Sequence, residues 1–398
     1  MAGQYTFDPA IRMGEPTMPR LTEDLALASP SPGTRRFLKV HRYGEAGARP
    51  KAYLHAALHA DEWPGLLTLN HLIGLLDAAD AEDRIAGEIV LLPYANPVGM
   101  AQRLNGNLPG RFELDGGGNF NRDWPDLTET VANRLEGEFN ADGTENRDRI
   151  RDALKAAVGN LPRGTELETL RATLLSLSID ADLVLDVHCD SISALHLYAN
   201  QVHADIVMEL ARDIASPVVL LEDEPGGDPF DSANAAPWIR LRRRLGDDHP
   251  IPDGCFATTV ELRGRNDVND GLAAKDAKGL FNFLQRRGVV GGSPEPLPEA
   301  LCEPTPLDGV DVLRAPAAGI VAWKSPIGER VEAGDLMAEL VDIEADDPAK
   351  ARTPITAGTS GYFFARKADT LVRPGDWIGK IVGSETLEDR KSGNLMSP

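Results

Sequence analysis

Cysteine is scarce in this 398-residue chain: Cys189, Cys255 and Cys302 are all it has, and none sits in a CxxC pair. So few thiols exclude a disulfide framework and fit a reducing, cytoplasmic setting. Long apolar runs are missing too. No window approaches 18 consecutive apolar residues, which argues against a membrane-spanning helix. The opening residues, MAGQYTFDPAIRMGEPT, show no basic stretch followed by an apolar run, so no secretory signal is expected. Positive charge is in deficit: 41 Lys and Arg against 62 Asp and Glu leave a formal net charge of −21. A surface that acidic repels phosphate backbones and anionic head groups, so neither nucleic acid nor membrane is expected as a partner. An acidic small molecule is not excluded, because a few local arginines reverse the potential inside a cleft.

What is present is the balance of an ordinary globular protein, 42% hydrophobic and 26% charged. The length suggests two domains, each with material for a core, and a homo-oligomer is left open. Residues 1 to about 35 read as mixed and turn-rich. Short apolar runs then alternate with helical stretches: strands at 37–44, 51–58, 182–189, 196–200, 217–222 and 255–262, a strand-to-loop junction at 88–97, and a helix from Leu66 to about Leu76. Runs of this length separated by helices predict an α/β fold with a largely buried sheet. Residues 127–178 are charged and helically periodic and read as a helical insertion. The stretch 221–238 reads as an acidic, Gly-rich loop, either mobile and substrate-facing or a solvated connection.

At about residue 291 a Pro/Gly-rich linker begins, and beyond it lies an internal repeat. APAAGIVAWKSPIGERVEAGDLMAELV (315–341) is echoed by TAGTSGYFFARKADTLVRPGDWIGKIV (356–382), with Gly319 matching Gly361, Val331 matching Val372, and Gly334-Asp335 matching Gly375-Asp376. Two hairpin-like halves with Gly-Asp turns predict an all-β barrel-sandwich hybrid of the lipoyl type. No Asp-Lys-Ala or Met-Lys-Met triplet lies between the halves, so the module is expected to be unmodified. The expected domains are therefore 1–295, with its insertion at 127–178, and 305–385.

The chemistry-bearing residues cluster at strand ends. His59-Ala-Asp-Glu62 follows the strand KAYLHAAL, where a His and a Glu three apart can turn toward one point. The carboxyl edge of an open α/β sheet is where ligands bind. Two imidazoles and a carboxylate are ordinary zinc ligands, and His188, ending DLVLDVH, supplies the second imidazole. Asn121-Arg122 closes a Gly-rich loop, and arginine suits both carboxylate recognition and a developing oxyanion. Glu261 ends the strand CFATTVEL, placed to face a metal-held water as general base. The remaining histidines lack such a context, although His196 begins a strand close enough to line the cleft. Trp63, Trp124 and Trp238 flank the motifs and are candidate pocket walls.

In this order, HADEWPG (59–65), NRDWP (121–125), DVH (186–188) and TVE (259–261) resemble the succinylglutamate desuccinylase/aspartoacylase family of zinc deacylases, relatives of zinc carboxypeptidases. The likeness runs over roughly 37–290 and extends to the C-terminal module. It implies a carboxypeptidase-like mixed sheet flanked by helices and one Zn²⁺ per chain, held by His59, Glu62 and His188. It implies Glu261 as general acid/base and Asn121 with Arg122 on the substrate's carboxylate. Arg111, with Arg103 as the alternative, would polarise the scissile carbonyl. The implied reaction is hydrolysis of a small N-acyl amino acid amide; the alternative is a zinc carboxypeptidase acting on peptides. Two departures stand out. Cys189 occupies a position that is usually Thr or Ser, and the 127–178 segment is longer than the pattern expects.

Overall fold

The computed structural model describes residues 20–224, 226–246 and 249–383. The opening stretch read above for a leader lies outside the described residues, as do 384 and 385 of the expected second domain. Its centre is a nine-stranded mixed sheet built from β1 (Leu21–Ala26), β2 (Phe37–Tyr43), β3 (Lys51–Ala56), β4 (Glu88–Leu92), β5 (Leu183–Asp190), β6 (His196–Asn200), β7 (Val218–Glu222), β8 (Phe256–Gly264) and β9 (Thr305–Pro306). The strand order is β1-β2-β4-β3-β5-β8-β6-β7-β9. The run β4, β3, β5, β8 is parallel, while β1 and β2 join antiparallel at one edge and β6 runs antiparallel to β8. β3 and β4 are buried along their whole length, and β5 up to its last residue, because helices cover both sheet faces.

One face carries α1 (Pro64–Ala81), α6 (Ala204–Asp213) and α8 (Asp270–Arg286), packed on Leu54, Leu91, Leu185 and Val260. The other carries α3 (Thr128–Arg134), α4 (Gly143–Gly159), α5 (Glu166–Ser178) and α7 (Phe230–Leu245), packed on Tyr53, Val90 and Val184. A short α2 (Pro97–Ala101) follows β4. The segment 127–178 is thus helical, and each of its longer helices begins on a sequence cap. Asp142 accepts from the amides of Thr144 and Glu145, and Thr165 with Glu168 forms a capping box.

Three readings are corrected. Residues 21–26 form a strand rather than a turn-rich lead-in, because they pair antiparallel with β2 at the sheet edge. The connection read at 221–238 turns helical at Phe230, with Pro237 accommodated inside α7. The first helix begins at Pro64 and runs to Ala81, well past the Leu76 read from periodicity.

Residues 310–382 form two further sheets. The strands are β10 (Val310–Arg314), β11 (Gly319–Trp323), β12 (Arg330–Val331), β13 (Leu336–Val341), β14 (Arg352–Thr356), β15 (Gly361–Arg366), β16 (Leu371–Val372) and β17 (Trp377–Val382). Their orders are β10-β17-β15-β12 and β14-β13-β11-β16, and among the described residues neither closes into a barrel. The sheets share one core around Val321, Met337, Phe363 and Ile381. The repeat does not make two self-contained hairpins. β12 of the first half pairs with β15 of the second, and β16 of the second pairs with β11 of the first. The matched turns do repeat: Gly334 and Gly375 take φ of +93° and +83°, open to glycine without steric cost. The carboxylates of Asp335 and Asp376 accept from the amides of Glu332 and Arg373 at 2.8 and 3.0 Å.

This segment is fastened to the large sheet. Ile192–Ser193, just past β5, pairs antiparallel with β15. Val218 and Leu220 of β7 share an apolar cluster with Val310, Val312 and Phe364.

Candidate metal centre and active site

Register places the key side chains before any side-chain chemistry is considered. Parallel pairing sets Glu261 of β8 opposite His188 of β5, and Thr259 opposite Asp186. On the other side of β5, His55 of β3 stands opposite Asp186. Directly opposed residues share a face, and so do residues two apart on one strand. Asp186, His188 and Glu261 therefore gather on one face at the carboxyl ends of parallel strands.

The chain leaves β3 through Ala57, in the left-handed region at φ +56°, and delivers His59 and Glu62 in the loop before α1. Two contacts brace that loop. Asn96 donates through Nδ2 to the Leu58 carbonyl at 2.7 Å, and the Ala60 amide donates to the Gly110 carbonyl at 2.9 Å. A Cβ at Gly110 would lie 2.2 Å from the Asp61 nitrogen, so the approach that brings the Arg111 loop onto the His59 loop requires glycine.

His59, Glu62 and His188 are all buried, and their potential ligand atoms lie within 4.8 Å of one another. His59 Nδ1 stands 2.8 Å from Glu62 Oε1, and His188 Nδ1 stands 2.7 Å from Glu62 Oε2. The Cys189 amide donates to Glu62 Oε2 and Arg111 donates to Oε1. The other ring nitrogen of each histidine meets a second partner. His59 Nε2 is 2.8 Å from Asn119 Oδ1; His188 Nε2 is 2.8 Å from Asp186 Oδ1 and 3.2 Å from Asn121 Nδ2. Asp186 is itself 2.6 Å from His55 Nε2, and His55 Nδ1 is 2.8 Å from the Tyr53 hydroxyl. Two Nδ1 atoms turned to one carboxylate, each ring anchored through Nε2, is a donor set that fits zinc.

The electrostatics follow from that close packing. Burial favours neutral Glu62, yet His59 and His188 hold it well below the ordinary carboxylate range. Burial likewise opposes charge on His188, but Asp186 and Glu62 raise it well above the usual imidazole value. Burial and Arg111 push His59 down. Glu261 is lifted to about 8 by burial and by the charge on Glu62, and its Oε2 has no partner among the described residues. A protonated or poised carboxyl at neutral pH is what acid–base exchange requires.

Of these groups His59, His188 and Glu261 line one pocket, together with Arg111, Asn121, Arg122, Cys189, Asp190, Tyr198, Glu222, Asp231, Leu307 and Lys380. Arg122 donates through Nη1 to the Asn121 carbonyl at 2.6 Å, and Asn121 Oδ1 accepts from the Phe230 amide at 2.8 Å. Arg103 is elsewhere, donating to the carbonyls of Met100 and Gln102. His196 does not line the pocket; it is fully buried between Tyr198 and Phe364. The tryptophans are not its walls either. Trp124 and Trp238 are core residues, and Trp63 is exposed beneath Arg265. Burial raises the Cys189 thiol, which leaves it inert as a nucleophile.

Sequence reasoning missed Asp186, His55, Asn119 and Lys380. For Asp186 a signal existed, since its place two residues before His188 on a strand puts both on one face. His55 required the register between β3 and β5. Lys380 sits 190 residues from Asp190, which it meets at 2.8 Å, and no local pattern announces it.

The pocket lies at the carboxyl edge of the mixed sheet, with His59, His188 and the Glu261 carboxyl facing Arg111 and Arg122 across it. The chain belongs to the succinylglutamate desuccinylase/aspartoacylase family of deacylases: the model of that family's catalytic domain matches residues 48–287. No curated protein sequence matches it. Among solved structures it is similar to a protein of Shewanella amazonensis SB2B described as a member of this family, at 25% identity and a TM-score of 0.78, over 91% of this chain and 98% of that one. A Shewanella frigidimarina NCIMB 400 protein described by the same two names matches at 22% identity and a TM-score of 0.79, over 92% and 98%. The product-bound ectoine utilization protein EutE (DoeB) of Ruegeria pomeroyi shares the fold at 19% identity and a TM-score of 0.64, over 92% and 95%.

Proposed function

We propose that this chain is a zinc-dependent amidohydrolase that cleaves the amide bond of a small N-acyl amino acid, with one zinc per chain held by His59, Glu62 and His188. The observation that carries the reading is the convergence of two Nδ1 atoms on the Glu62 carboxylate, beside the unpartnered carboxyl of Glu261. When bound, zinc supplies a Lewis acid for the acyl carbonyl and lowers the pKa of water to about 7. Glu261 takes the proton of the attacking water and passes it to the leaving amine; its raised pKa suits it to both transfers. Arg111 lines the same pocket and faces the oxygen on which negative charge develops. Asn121 and Arg122 receive the carboxylate of the amino acid, Arg122 through its guanidinium fork.

The C-terminal segment supports a small substrate over a peptide, because Leu307 and Lys380 enter the pocket lining. We read 1–295 as the catalytic domain and 305–385 as an unmodified barrel-sandwich hybrid that narrows the cleft. Three free cysteines, two of them buried, support a reducing, cytoplasmic setting.

The test is release of free amine from a panel of N-acetyl- and N-succinyl-amino acids by zinc-loaded and chelator-stripped protein. Zinc-dependent cleavage of a panel member is expected. Glu261→Gln should keep its zinc and lose ~10²–10⁴ in turnover. Cleavage of peptides alone would move the reading to a carboxypeptidase, and a protein that binds no zinc would overturn the ligand assignment.

A further inference from the structure

The segment 118–124 does two jobs in the site. It carries Asn119 against His59 Nε2 and Asn121 against His188 Nε2, and it presents Arg122 to the pocket. Yet it is short of regular structure of its own: beyond the two-residue pairing of Gly118–Asn119 with Phe112–Glu113, it turns sharply, and Asp123 takes φ +57°. Aspartate visits that region more readily than most side chains, but the turn still depends on neighbours for its place.

One side chain from the helical insertion holds it. Arg171 of α5 donates through Nη2 to the carbonyls of Asn119 (3.2 Å) and Arg122 (2.9 Å), and through Nη1 to the carbonyl of Asp123 (3.2 Å). Its guanidinium also stands 5.5 Å from the ring centroid of Trp124, whose indole N–H donates to the Phe120 carbonyl. Among the described residues no carboxylate lies in ion-pair contact with Arg171, and burial depresses its pKa. A half-buried guanidinium without a counter-ion is costly unless its N–H groups are well used. Here both Nη groups are spent on three carbonyls of one loop, while Nε finds no partner among the described residues.

We propose that Arg171 is a positioning residue through which the insertion at 127–178 sets the orientation of the metal-ligating His59 and of the substrate-binding Arg122. This rests on the functional reading above. The amides of Phe120, Asp123 and Trp124 also tie the loop, to the carbonyls of Arg111, Gly227 and Asp228; loss of the clamp loosens what they leave, so Asn119 holds the His59 ring less firmly and Arg122 no longer meets a carboxylate at a fixed place.

The experiment compares wild type, Arg171→Met, Arg171→Lys and Arg163→Met, measuring zinc affinity by chelator competition, and KM and kcat at saturating zinc. Arg163 is the control, because it bonds only within the insertion, to Ala172, Thr173 and Ser176. Arg171→Met is expected to weaken zinc binding ~10–100-fold, as loss of a group that orients metal ligands does. KM should rise several-fold while kcat stays within about twofold, the signature of lost ground-state binding. Arg171→Lys should fall between, since one ammonium cannot span three carbonyls. Arg163→Met should leave zinc affinity and KM unchanged whatever it does to the melting temperature. Wild-type values in Arg171→Met, or equal shifts in Arg163→Met, overturn the proposal. A wild-type chain that binds no zinc sinks the functional reading and this inference together, whereas normal zinc binding and KM in Arg171→Met remove only the inference.

Discussion

Lys380, on the last strand of the C-terminal segment, places its Nζ 2.8 Å from Oδ2 of Asp190, two residues beyond His188. Both groups line the pocket, and Lys380 is 2% exposed. Burial opposes charge on both, but each favours it on the other: Asp190 raises the Lys380 pKa, and Lys380 lowers that of Asp190. The C-terminal segment is thereby joined to the site by charge as well as by the pairing of Ile192–Ser193 with β15.

Cutting this pair on one side leaves a buried charge alone. Lys380→Met should cost about 3–5 kcal/mol of stability, the usual penalty for breaking a buried ion pair. The double variant Lys380→Met/Asp190→Leu should recover much of it. Urea unfolding midpoints of the four proteins measure the cycle, and a double variant as unstable as the single one would refute the pairing argument.

Asp186 braces His188 from behind, with His55 and Tyr53 behind it in turn. Asp186→Asn keeps the shape and removes the charge that favours an Nε2 proton. Zinc affinity should fall ~10–100-fold. Chelator competition reads this directly, and unchanged affinity would show that the relay does not orient the ligand.

Zinc that binds only the folded chain should stabilise it. At a free concentration one hundred times its dissociation constant the gain is about 2.7 kcal/mol. Thermal unfolding of stripped protein should therefore shift upward on adding zinc, and His59→Ala should lose the shift. A shift that survives in His59→Ala would place the metal elsewhere.

His196 is fully buried, with Nδ1 2.9 Å from the Ala194 carbonyl and its ring against Phe364 of β15. Burial lowers its pKa to about 4, from 6.5 for the free side chain. The unfolded chain thus binds more protons between these values. The neutral buried ring contributes its full stability above pH 6.5 and loses it progressively as pH falls toward 4. Urea midpoints at pH 7 and pH 4.5 should drop more for wild type than for His196→Phe; equal drops would mean that the ring does not titrate in this window.

Much of this protein is readable in one dimension. Short stretches rich in apolar residues mark β3, β5 and β8, because strands covered on both faces bury most of their side chains. His59, Glu62, His188 and Glu261 stand out because each directly follows or ends such a run. Asp142 and Thr165 announce α4 and α5 because a cap is a local hydrogen bond. The Gly-Asp turns of the C-terminal repeat are local in the same way.

What only the tertiary structure decides is what meets across strands and segments. β1 lacks an apolar signature, since as an edge strand it leaves most of its side chains partly or fully exposed. The exchange of β12 and β16 between the two halves of the repeat depends on pairing partners that no spacing specifies. The choice of Arg111 over Arg103 for the pocket follows from Gly110 packing on the His59 loop. The meetings of His55 with Asp186, Arg171 with the Asn119–Asp123 turn, and Lys380 with Asp190 join residues 131, 48 to 52 and 190 positions apart. Local sequence sets strand, cap and turn because those energies come from neighbours in the chain; register and packing settle the rest, because theirs come from neighbours in space.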